Sequence, residues 1–262
     1  MSNMYYTFLI HYSFLFIIAS YLLHIYYILT MILQLDHITK SYGSGENTSL
    51  VLKGIDLQLA RGEFCVLLGP SGSGKSTLLN IIGGIDSMSS GTITIDGVLM
   101  NRMKEKQLTR YRRTYLGYVF QSYNLVPNLT VRENIEVGAY LSKDPLSVDE
   151  LLHILGLYEH RDKLPNQLSG GQQQRTSIGR AVVKKPEILL CDEPTGALDY
   201  ATSKEILKLI ETVNQMYKST VIMVTHNDAL KYMADRVITL KDGRITGNYL
   251  NEIKKPAEEL EW

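Results

Sequence analysis

The feature that most constrains this 262-residue sequence is a phosphate-loop pattern, whose residues are Gly69, Pro70, Ser71, Gly72, Ser73, Gly74, Lys75, Ser76 and Thr77. It fits G-x-x-x-x-G-K-[ST] between two apolar runs, Phe64–Leu68 and Leu78–Ile82, which predict a buried strand before the loop and a helix after it. The glycines allow backbone N–H groups to turn towards phosphate oxygens, and the helix N-terminus adds a positive dipole end. The pattern therefore predicts nucleoside-triphosphate binding, with Lys75 on the β- and γ-phosphates and the Ser76 hydroxyl on Mg²⁺.

A second motif lies far downstream and consists of Leu168, Ser169, Gly170, Gly171 and Gln172. Together with an apolar run that ends in Asp192 and Glu193, it makes the chain resemble the ATP-binding-cassette (ABC) ATPases, from roughly residue 32 to residue 247. The resemblance implies an α/β fold: a P-loop NTPase cassette with a mostly parallel core sheet, an antiparallel β subdomain and an inserted helical lobe.

The same resemblance gives the second motif, the signature, a role in binding ATP. In the family this segment contacts the γ-phosphate of ATP held by the other subunit of a dimer, so the resemblance implies a homodimer of this chain. The residues suit that role. Ser169 can cap a helix and donate a hydrogen bond, Gly170 and Gly171 expose backbone amides to an anion, and Gln172 completes the motif.

Carboxylates follow the apolar run Ile188–Cys191, which predicts a central parallel strand. Open α/β sheets bind ligands at the carboxyl edge of their strands, where Asp192 and Glu193 would lie. Asp192 is suited to hold Mg²⁺ through water. The resemblance implies that Glu193 is the general base for the attacking water, and that His226, after the predicted strand Thr220–Thr225, contacts the γ-phosphate.

Three further residues complete the expected site by resemblance. Gln121 follows the predicted strand Gly117–Phe120 and would contact Mg²⁺ and water while sensing a membrane partner, so the expected Mg²⁺ ligands are Ser76, Gln121 and Asp192. Tyr42, after the first predicted strand, would stack on the adenine of ATP. Asp199 would communicate between two sites, and its local role as a helix cap is compatible with that function.

Composition and charge agree with a cassette. The net charge is zero and the pI is near 7.0, so no nucleic-acid partner is expected. Cys65 and Cys191 lie in predicted buried strands without metal-ligand spacing. We expect an ABC ATPase domain over residues 31–250, with the helical lobe at about 122–176, followed by a charged tail at 251–262. Its end, Lys254–Trp262, is expected to fray.

The first thirty residues are an anomaly, because no Asp, Glu, Lys or Arg occurs before Asp36. Tyr5–Leu29 is apolar and long enough to span a bilayer, but it lacks the basic start and the cleavage site of a signal peptide. The sequence from Met31 opens as cassettes of this family normally open. We expect residues 1–30 to be an upstream extension of a true start at Met31; a membrane anchor and a packed extra helix are the alternatives.

Finer features resemble one group within the family, the ATPases of macrolide export, lipoprotein release and antimicrobial-peptide resistance. They are Gly196, the loop Gly43–Ser49 and the segment Leu116–Gln121. The resemblance implies an ATPase that powers an exporter of peptide, lipoprotein or hydrophobic drug. It would bind peripherally at the cytoplasmic face of the cell membrane, where Tyr123–Pro127 would dock on a membrane-spanning permease.

Two other function classes stay open. One is an ATPase of a membrane signalling complex that moves no substrate, and identification of the membrane partner would discriminate it from an exporter. The other is a soluble ABC protein of translation or DNA repair. A single phosphate loop, a single signature and the lack of a heptad run argue against this second class.

Overall fold

A computed structural model describes residues 31–262 of the chain. The predicted extension at residues 1–30 lies outside this range. The strands within it are β1 (Met31–Tyr42), β2 (Ser49–Ala60), β3 (Phe64–Leu68), β4 (Ser90–Ile95), β5 (Val98–Leu99), β6 (Leu116–Val119), β7 (Ile188–Asp192), β8 (Thr220–Thr225), β9 (Arg236–Lys241) and β10 (Arg244–Leu250).

The helices of the same range alternate with the strands of the larger sheet. The α-helices are α1 (Lys75–Ile82), α2 (Glu105–Thr114), α3 (Val131–Ala139), α4 (Val148–Ile154), α5 (Gly170–Val182) and α6 (Tyr200–Tyr217). Short 3₁₀ helices cover Gly45–Asn47, Tyr158–His160, Pro165–Gln167, Asp228–Met233 and Ala257–Glu259. No helix among residues 31–262 is long and apolar enough to cross a membrane.

The larger sheet has six strands in the order β10-β9-β3-β8-β7-β6. Its strands pair in parallel except for β10, which pairs with β9 in an antiparallel hairpin whose turn contains Asp242 and Gly243. Every residue of β3 and β8 is buried, as expected for parallel strands that are covered on both faces. The sheet therefore brings the carboxyl ends of β3, β6, β7 and β8 to one edge, where the loops that follow them meet.

The smaller sheet is antiparallel, with the order β2-β1-β4-β5. Residues of β1 alternate between buried and less buried positions over much of their length, because one face packs on the protein interior. Their buried members, such as Leu33 and Leu35, join an apolar cluster with Leu78 of α1 and Leu67 of β3. This cluster fixes the small sheet against the phosphate-loop helix.

The opposite face of the larger sheet supports a second apolar cluster. Phe64, Val66 and Leu68 of β3 belong to it, whereas Cys65 and Leu67 face the first cluster, as the two-residue period of a strand requires. The buried residues of α3, α4, α5 and α6 pack in this second cluster. Both cysteines are buried and free, as predicted.

The segment between β6 and β7 holds the helices of the predicted lobe. The pattern predicts helical structure from Ser122 onwards, but the first helix of the segment begins only at Val131. Tyr123 and Asn124 have φ angles of 62° and 48°, and such left-handed backbone cannot continue a right-handed helix. The stretch directly after Gln121 is therefore a shaped loop.

The end of the chain corrects a second expectation. Residues Lys254–Trp262 are predicted to fray, and that prediction is wrong. Ala257 and Leu260 are buried in the second apolar cluster. Tyr200 Oη donates to Leu260 O at 3.3 Å, and Lys204 Nζ donates to Glu258 O at 3.0 Å. The charged residues dominate the composition of this tail, but its two buried apolar side chains, Ala257 and Leu260, attach it to the rest of the protein.

Candidate nucleotide site

The phosphate loop connects β3 to α1 at the carboxyl edge of the larger sheet. Lys75, the first residue of α1, is buried, and its Nζ donates to Gly69 O at 2.7 Å and to Pro70 O at 2.9 Å. Gly74 precedes the helix with a φ of 101°, a left-handed conformation that favours glycine. Ser73 Oγ is buried and has no hydrogen-bond partner among the described residues. The loop thus holds a buried ammonium and a spare hydroxyl group beside a helix N-terminus, which suits an anionic ligand.

A cleft of about 830 Å³ opens over this loop. Its lining comes from the phosphate loop, from the start of β2 and from the ends of three parallel strands: Val51, Ser71, Gly72, Gly74, Lys75, Ser76, Thr77, Gln121, Glu193 and His226. The sequence pattern did not single out Val51. Val51 lies at the cleft because β2 packs against Gly74: a Cβ built on Gly74 would lie 2.8 Å from Leu52 Cδ2. No local signal in the sequence marks such a contact.

Ser76 and Asp192 meet at the floor of the site. Ser76 Oγ donates to Asp192 Oδ1 at 3.1 Å. Burial raises the pKa of Asp192 above its ordinary value, and the charge of Glu193 adds to that rise, while the Ser76 hydrogen bond and the charge of Lys75 oppose it. A partly buried carboxylate beside a hydroxyl group provides two hard oxygen donors, which suit a divalent cation bound to phosphate.

Glu193 and His226 form a direct pair in the cleft. His226 Nδ1 lies 2.6 Å from Glu193 Oε2, and the Glu193 side chain is only 17% exposed. The backbone of Glu193 has a φ of 47°, an unfavourable left-handed conformation for a residue with a Cβ. Its N–H nevertheless donates to Val224 O at 3.0 Å, so the adjacent strand holds this residue in place. Strain of this kind is concentrated at functional sites.

Gln121 lies next to this pair. A Cβ on Gly196 would sit 2.9 Å from Gln121 Nε2 and 3.5 Å from Glu193 Oε2. The Gly196 N–H donates to Glu193 O at 3.0 Å, which closes a turn directly after β7. The lack of a side chain at Gly196 therefore leaves room for Gln121 beside the carboxylate.

Tyr42 lies at the end of β1 and does not line the cleft. Its hydroxyl donates to Asp86 Oδ2 at 2.5 Å and interacts with Thr77 of the phosphate loop. Lys40 Nζ donates to Asp86 Oδ1 at 2.6 Å. The sequence pattern did not point to Lys40 or Asp86, because their contacts join segments that are distant in the chain.

The signature residues also lie outside the cleft. Ser169 is the N-cap of α5: its Oγ accepts a hydrogen bond from Gln172 N at 3.3 Å, and Gln172 Oε1 accepts one from Ser169 N at 3.0 Å. A Cβ on Gly170 would lie 2.9 Å from Tyr123 Oη, and one on Gly171 would lie 2.4 Å from Thr202 Cγ2. The glycines thus let α5 pack closely against the loop after Gln121 and against α6.

Asp199 caps α6 within the same region. Its carboxylate accepts hydrogen bonds from Thr202 N at 3.0 Å and from Thr202 Oγ1 at 2.7 Å. These contacts give Asp199 the local capping role that the sequence allowed for it. They also connect the loop after Glu193 to Thr202, the residue on which Gly171 of the signature packs.

Comparison with known proteins assigns the family. The family model for ABC transporters matches residues 52–196. The chain belongs to the ABC transporter family. This confirms the predicted resemblance, and the cassettes of this family are ATPases. Residues 52–196 include the phosphate loop, Gln121, the signature and Glu193, whereas Tyr42, Asp199 and His226 lie outside the matched region.

Two curated ABC proteins illustrate the relationship. The chain is 49% identical over 234 residues to a putative ABC transporter ATP-binding protein of Mycoplasma pneumoniae, the MG065 homolog, and the match covers 88% of this chain and 50% of that protein. The chain therefore spans about half the length of that ABC relative. It is 45% identical over 219 residues to the bacitracin export ATP-binding protein BceA of Halalkalibacterium halodurans, with 82% of this chain and 87% of BceA covered.

A solved ABC cassette supports the fold assignment. The solved structure is that of the cassette MJ0796 in a dimeric, post-hydrolysis state bound to ADP and Pi, and its sequence is 39% identical to this chain. The two structures superpose with a TM-score of 0.77, and the match covers 84% of this chain and 98% of the MJ0796 chain. MJ0796 comes from Methanocaldococcus jannaschii. The predicted fold class, a cassette with a mostly parallel core sheet and an antiparallel second sheet, is confirmed.

Proposed function

We propose that the chain is the ATP-hydrolysing subunit of a membrane exporter, in which two copies bind ATP and drive a membrane-spanning permease. The observation that carries this proposal is the meeting of the phosphate loop with Glu193, His226 and Gln121 in one cleft. The relative BceA is named for bacitracin export. That name supports an exporter, and we propose that its cargo is a peptide, a lipoprotein or a hydrophobic drug.

Each residue of the cleft has a separate role in the proposed hydrolysis. Lys75 and the backbone N–H groups of the loop bind the β- and γ-phosphates. Glu193 accepts a proton from the attacking water, and its 2.6 Å contact with His226 holds the carboxylate in the cleft. When His226 Nδ1 bonds to Glu193, Nε2 is the ring atom left to face the γ-phosphate. Gln121 lies where its amide can orient the same water.

The donor set also suits Mg²⁺. Ser76 and Asp192 supply hard oxygen atoms that are hydrogen-bonded to each other, and Gln121 adds an amide oxygen. A site of few protein ligands fits Mg²⁺ that arrives with phosphates and keeps several waters. When bound, Mg²⁺ would neutralise charge on the phosphate oxygens.

A second copy of the chain would complete the site. Ser169, Gly170, Gly171 and Gln172 do not line the cleft that holds Lys75. We therefore place the signature of one copy over the phosphate loop of the other, so that two ATP molecules lie between two chains. The dimeric MJ0796 cassette supports this arrangement.

The permease would dock on the loop after Gln121. The backbone of this loop is held by Arg180, which donates to Asn124 O at 2.6 Å and to Tyr123 O at 3.0 Å. Asn134 holds the next part, since its Oδ1 accepts from Val126 N at 2.8 Å. The Val126 side chain is 40% exposed. Such a shaped loop with an exposed apolar side chain suits contact with a permease, and that contact would hold the chain at the cytoplasmic face of the membrane.

The chemistry is tested by Glu193→Gln in the full chain. The substitution should lower ATP hydrolysis by about 10²- to 10⁴-fold, because it removes the general base. ATP binding should be retained, and an ATP-bound dimer should accumulate in size-exclusion chromatography with light scattering. Glu159→Gln is the matched control, since Glu159 is exposed and lies outside the cleft. Full turnover by Glu193→Gln would rule out Glu193 as the base, and an ATP-loaded variant that stays monomeric would contradict the dimer.

The export role is tested by isolating the membrane partner. The tagged chain should copurify with a membrane-spanning protein that mass spectrometry identifies. Val126→Asp should reduce that copurification while ATP affinity stays near the wild-type value. In vesicles with the partner, ATP should drive transport of a peptide, lipoprotein or hydrophobic drug. A partner that responds to ATP without moving any such substrate would instead indicate the signalling class.

A further inference from the structure

A polar cluster surrounds the hydroxyl of Tyr42. Asp86 lies at its centre: its Oδ2 accepts from Tyr42 Oη at 2.5 Å, and its Oδ1 accepts from Lys40 Nζ at 2.6 Å. Oδ1 also accepts from Ser87 N at 2.7 Å, and Lys40 Nζ donates to Ser87 O at 2.5 Å. Thr77 of the phosphate loop interacts with the Tyr42 oxygen. We call Lys40, Thr77 and Asp86 the Tyr42 anchor; it joins β1, the phosphate loop and the turn after α1.

The side chains of Lys40 and Asp86 are shielded from solvent, which favours a single arrangement of their hydrogen bonds. The Lys40 side chain is 8% exposed and that of Asp86 is 27% exposed. Burial of Asp86 opposes its ionisation, but the hydrogen bonds from Lys40 and Tyr42 outweigh that effect and hold its pKa below the ordinary value. Asp86 is therefore a carboxylate at neutral pH. Both of its oxygen atoms are engaged, and this restricts the position of the Tyr42 hydroxyl.

The anchor also distinguishes the two faces of the Tyr42 ring. Lys40 Nζ lies over one face, 4.7 Å from the ring centroid. Tyr42 as a whole is 44% exposed, so a large part of the residue is open to a ligand. A planar base that stacks on a ring already held in place causes less loss of side-chain entropy than one that must first immobilise the ring.

We propose that Lys40 and Asp86 are positioning residues, which fix the Tyr42 ring as a platform for the adenine base on the ring face opposite Lys40. The inference rests on the proposed function, because it requires that the phosphate loop binds ATP. The base, and not the phosphates, would contact Tyr42. The anchor should therefore affect ligands that carry a base and leave a bare chain of phosphates unaffected.

The test compares ATP with inorganic tripolyphosphate, which lacks a base. Tyr42→Phe keeps the ring and removes the hydroxyl, and Asp86→Asn keeps the shape and removes the charge. Each should raise the Kd for ATP about three- to tenfold, which is the range for loss of an ordinary hydrogen bond, because the contact acts on the base only through the Tyr42 ring. The Kd for tripolyphosphate should not change. Asp36→Asn is the matched control, because its carboxylate accepts from Thr92 Oγ1 at 3.0 Å on the same small sheet.

A double variant separates the anchor from a general structural effect. Both substitutions act on the contact between Tyr42 and Asp86, which Tyr42→Phe removes and Asp86→Asn weakens. Their combination should therefore weaken ATP binding no more than the larger single effect. The KM for ATP should rise while kcat at saturating ATP changes by less than about twofold, since only binding is affected. Tyr42→Phe keeps the Lys40–Asp86 pair and tests the anchor even where Asp86→Asn folds poorly.

The outcomes distinguish the anchor from the proposed function. A wild-type chain that binds both ligands, with variants that bind ATP as tightly as wild type, overturns the anchor alone. Equal weakening of ATP and tripolyphosphate also overturns it, because the effect would then be on the phosphate loop. A wild-type chain that binds neither ligand overturns the proposed function, and the anchor with it.

Discussion

The phosphate loop and the signature both end in a helix N-terminus, but the two helix ends are built differently. At α1 the N-cap is Gly74, and no side chain caps the helix. At α5 the N-cap is Ser169, which forms a reciprocal capping box with Gln172. The first helix end faces a cleft with Lys75 and Glu193, whereas the second lies outside that cleft. One chain thus holds an uncapped helix end in its candidate nucleotide site and a separate, self-capped helix end outside it. In the proposed dimer, a second chain would bring its self-capped helix end to the nucleotide.

Among substitutions that test the difference between the two helix ends, the largest effect on ATP binding is expected in the phosphate loop. Lys75→Ala should weaken ATP binding by about tenfold to a hundredfold, because a charge-assisted contact with the phosphates is lost. Hydrolysis should fall with it. Titration with a fluorescent ATP analogue measures the change, and Lys106→Ala is the control because Lys106 is exposed on α2. ATP binding at the wild-type level would place the phosphates elsewhere.

A mixing experiment tests whether the two helix ends belong to one composite site. Ser169→Ala should bind ATP as a single chain but hydrolyse it poorly, and Lys75→Ala should bind ATP weakly and hydrolyse little of it. A mixture of equal amounts should recover up to about a quarter of the wild-type rate, because about half of the dimers are mixed and each has one intact site. The ATPase rate of the mixture, against each variant alone, is the measurement. No recovery after subunit exchange would argue that each chain works by itself.

A smaller effect is expected where the signature packs on α6. Gly171→Ala would place a Cβ 2.4 Å from Thr202 Cγ2, so α5 or α6 must shift. Overpacking of this kind costs about 1–3 kcal/mol of unfolding free energy. Hydrolysis should fall severalfold while single-chain ATP binding stays the same. Urea unfolding and ATPase assays measure both, with Gly247→Ala as the control, where the nearest atom is 3.3 Å away. Weaker ATP binding in Gly171→Ala would show that the two regions are not independent.

The smallest effect concerns the Asp199 cap that links the two regions. Hydrogen bonds from Thr202 hold the pKa of Asp199 below its ordinary value, so its carboxylate stabilises the fold above the ordinary carboxyl pKa. That contribution is lost as the pH falls through the lowered pKa of the folded state. Asp199→Ala should lower Tm by a few degrees at pH 7. The difference from wild type should shrink below about pH 4, and a constant difference across this pH range would refute the electrostatic part of the cap.

Much of the fold was predictable because neighbouring residues encode it. The buried runs Phe64–Leu68 and Thr220–Thr225 are strands with the predicted bounds. The phosphate loop lies between a strand and a helix, as its pattern requires. Glu193 and His226 each follow a parallel strand, so the common carboxyl edge of the sheet predicts that they lie together. The structure places them 2.6 Å apart.

Other features could not be inferred from local patterns. The left-handed backbone of Glu193 is imposed by its surroundings, since its own residue type disfavours it. Tyr123 and Asn124 likewise adopt left-handed backbone where the pattern favoured a helix. Arg180, which holds the carbonyl groups of both residues, lies 56 and 57 positions away along the chain.

By itself, the sequence determined the order of strand, phosphate loop and helix, the family, and the residue types of the candidate nucleotide site, because these depend on short motifs and on hydrophobic period. Only the tertiary structure decided how distant segments contact one another. Tyr42 is anchored by Asp86 across 44 residues, and Leu260 of the tail attaches to Tyr200 across 60 residues. Such contacts depend on how whole elements pack, and no pattern within a short stretch of sequence records that packing.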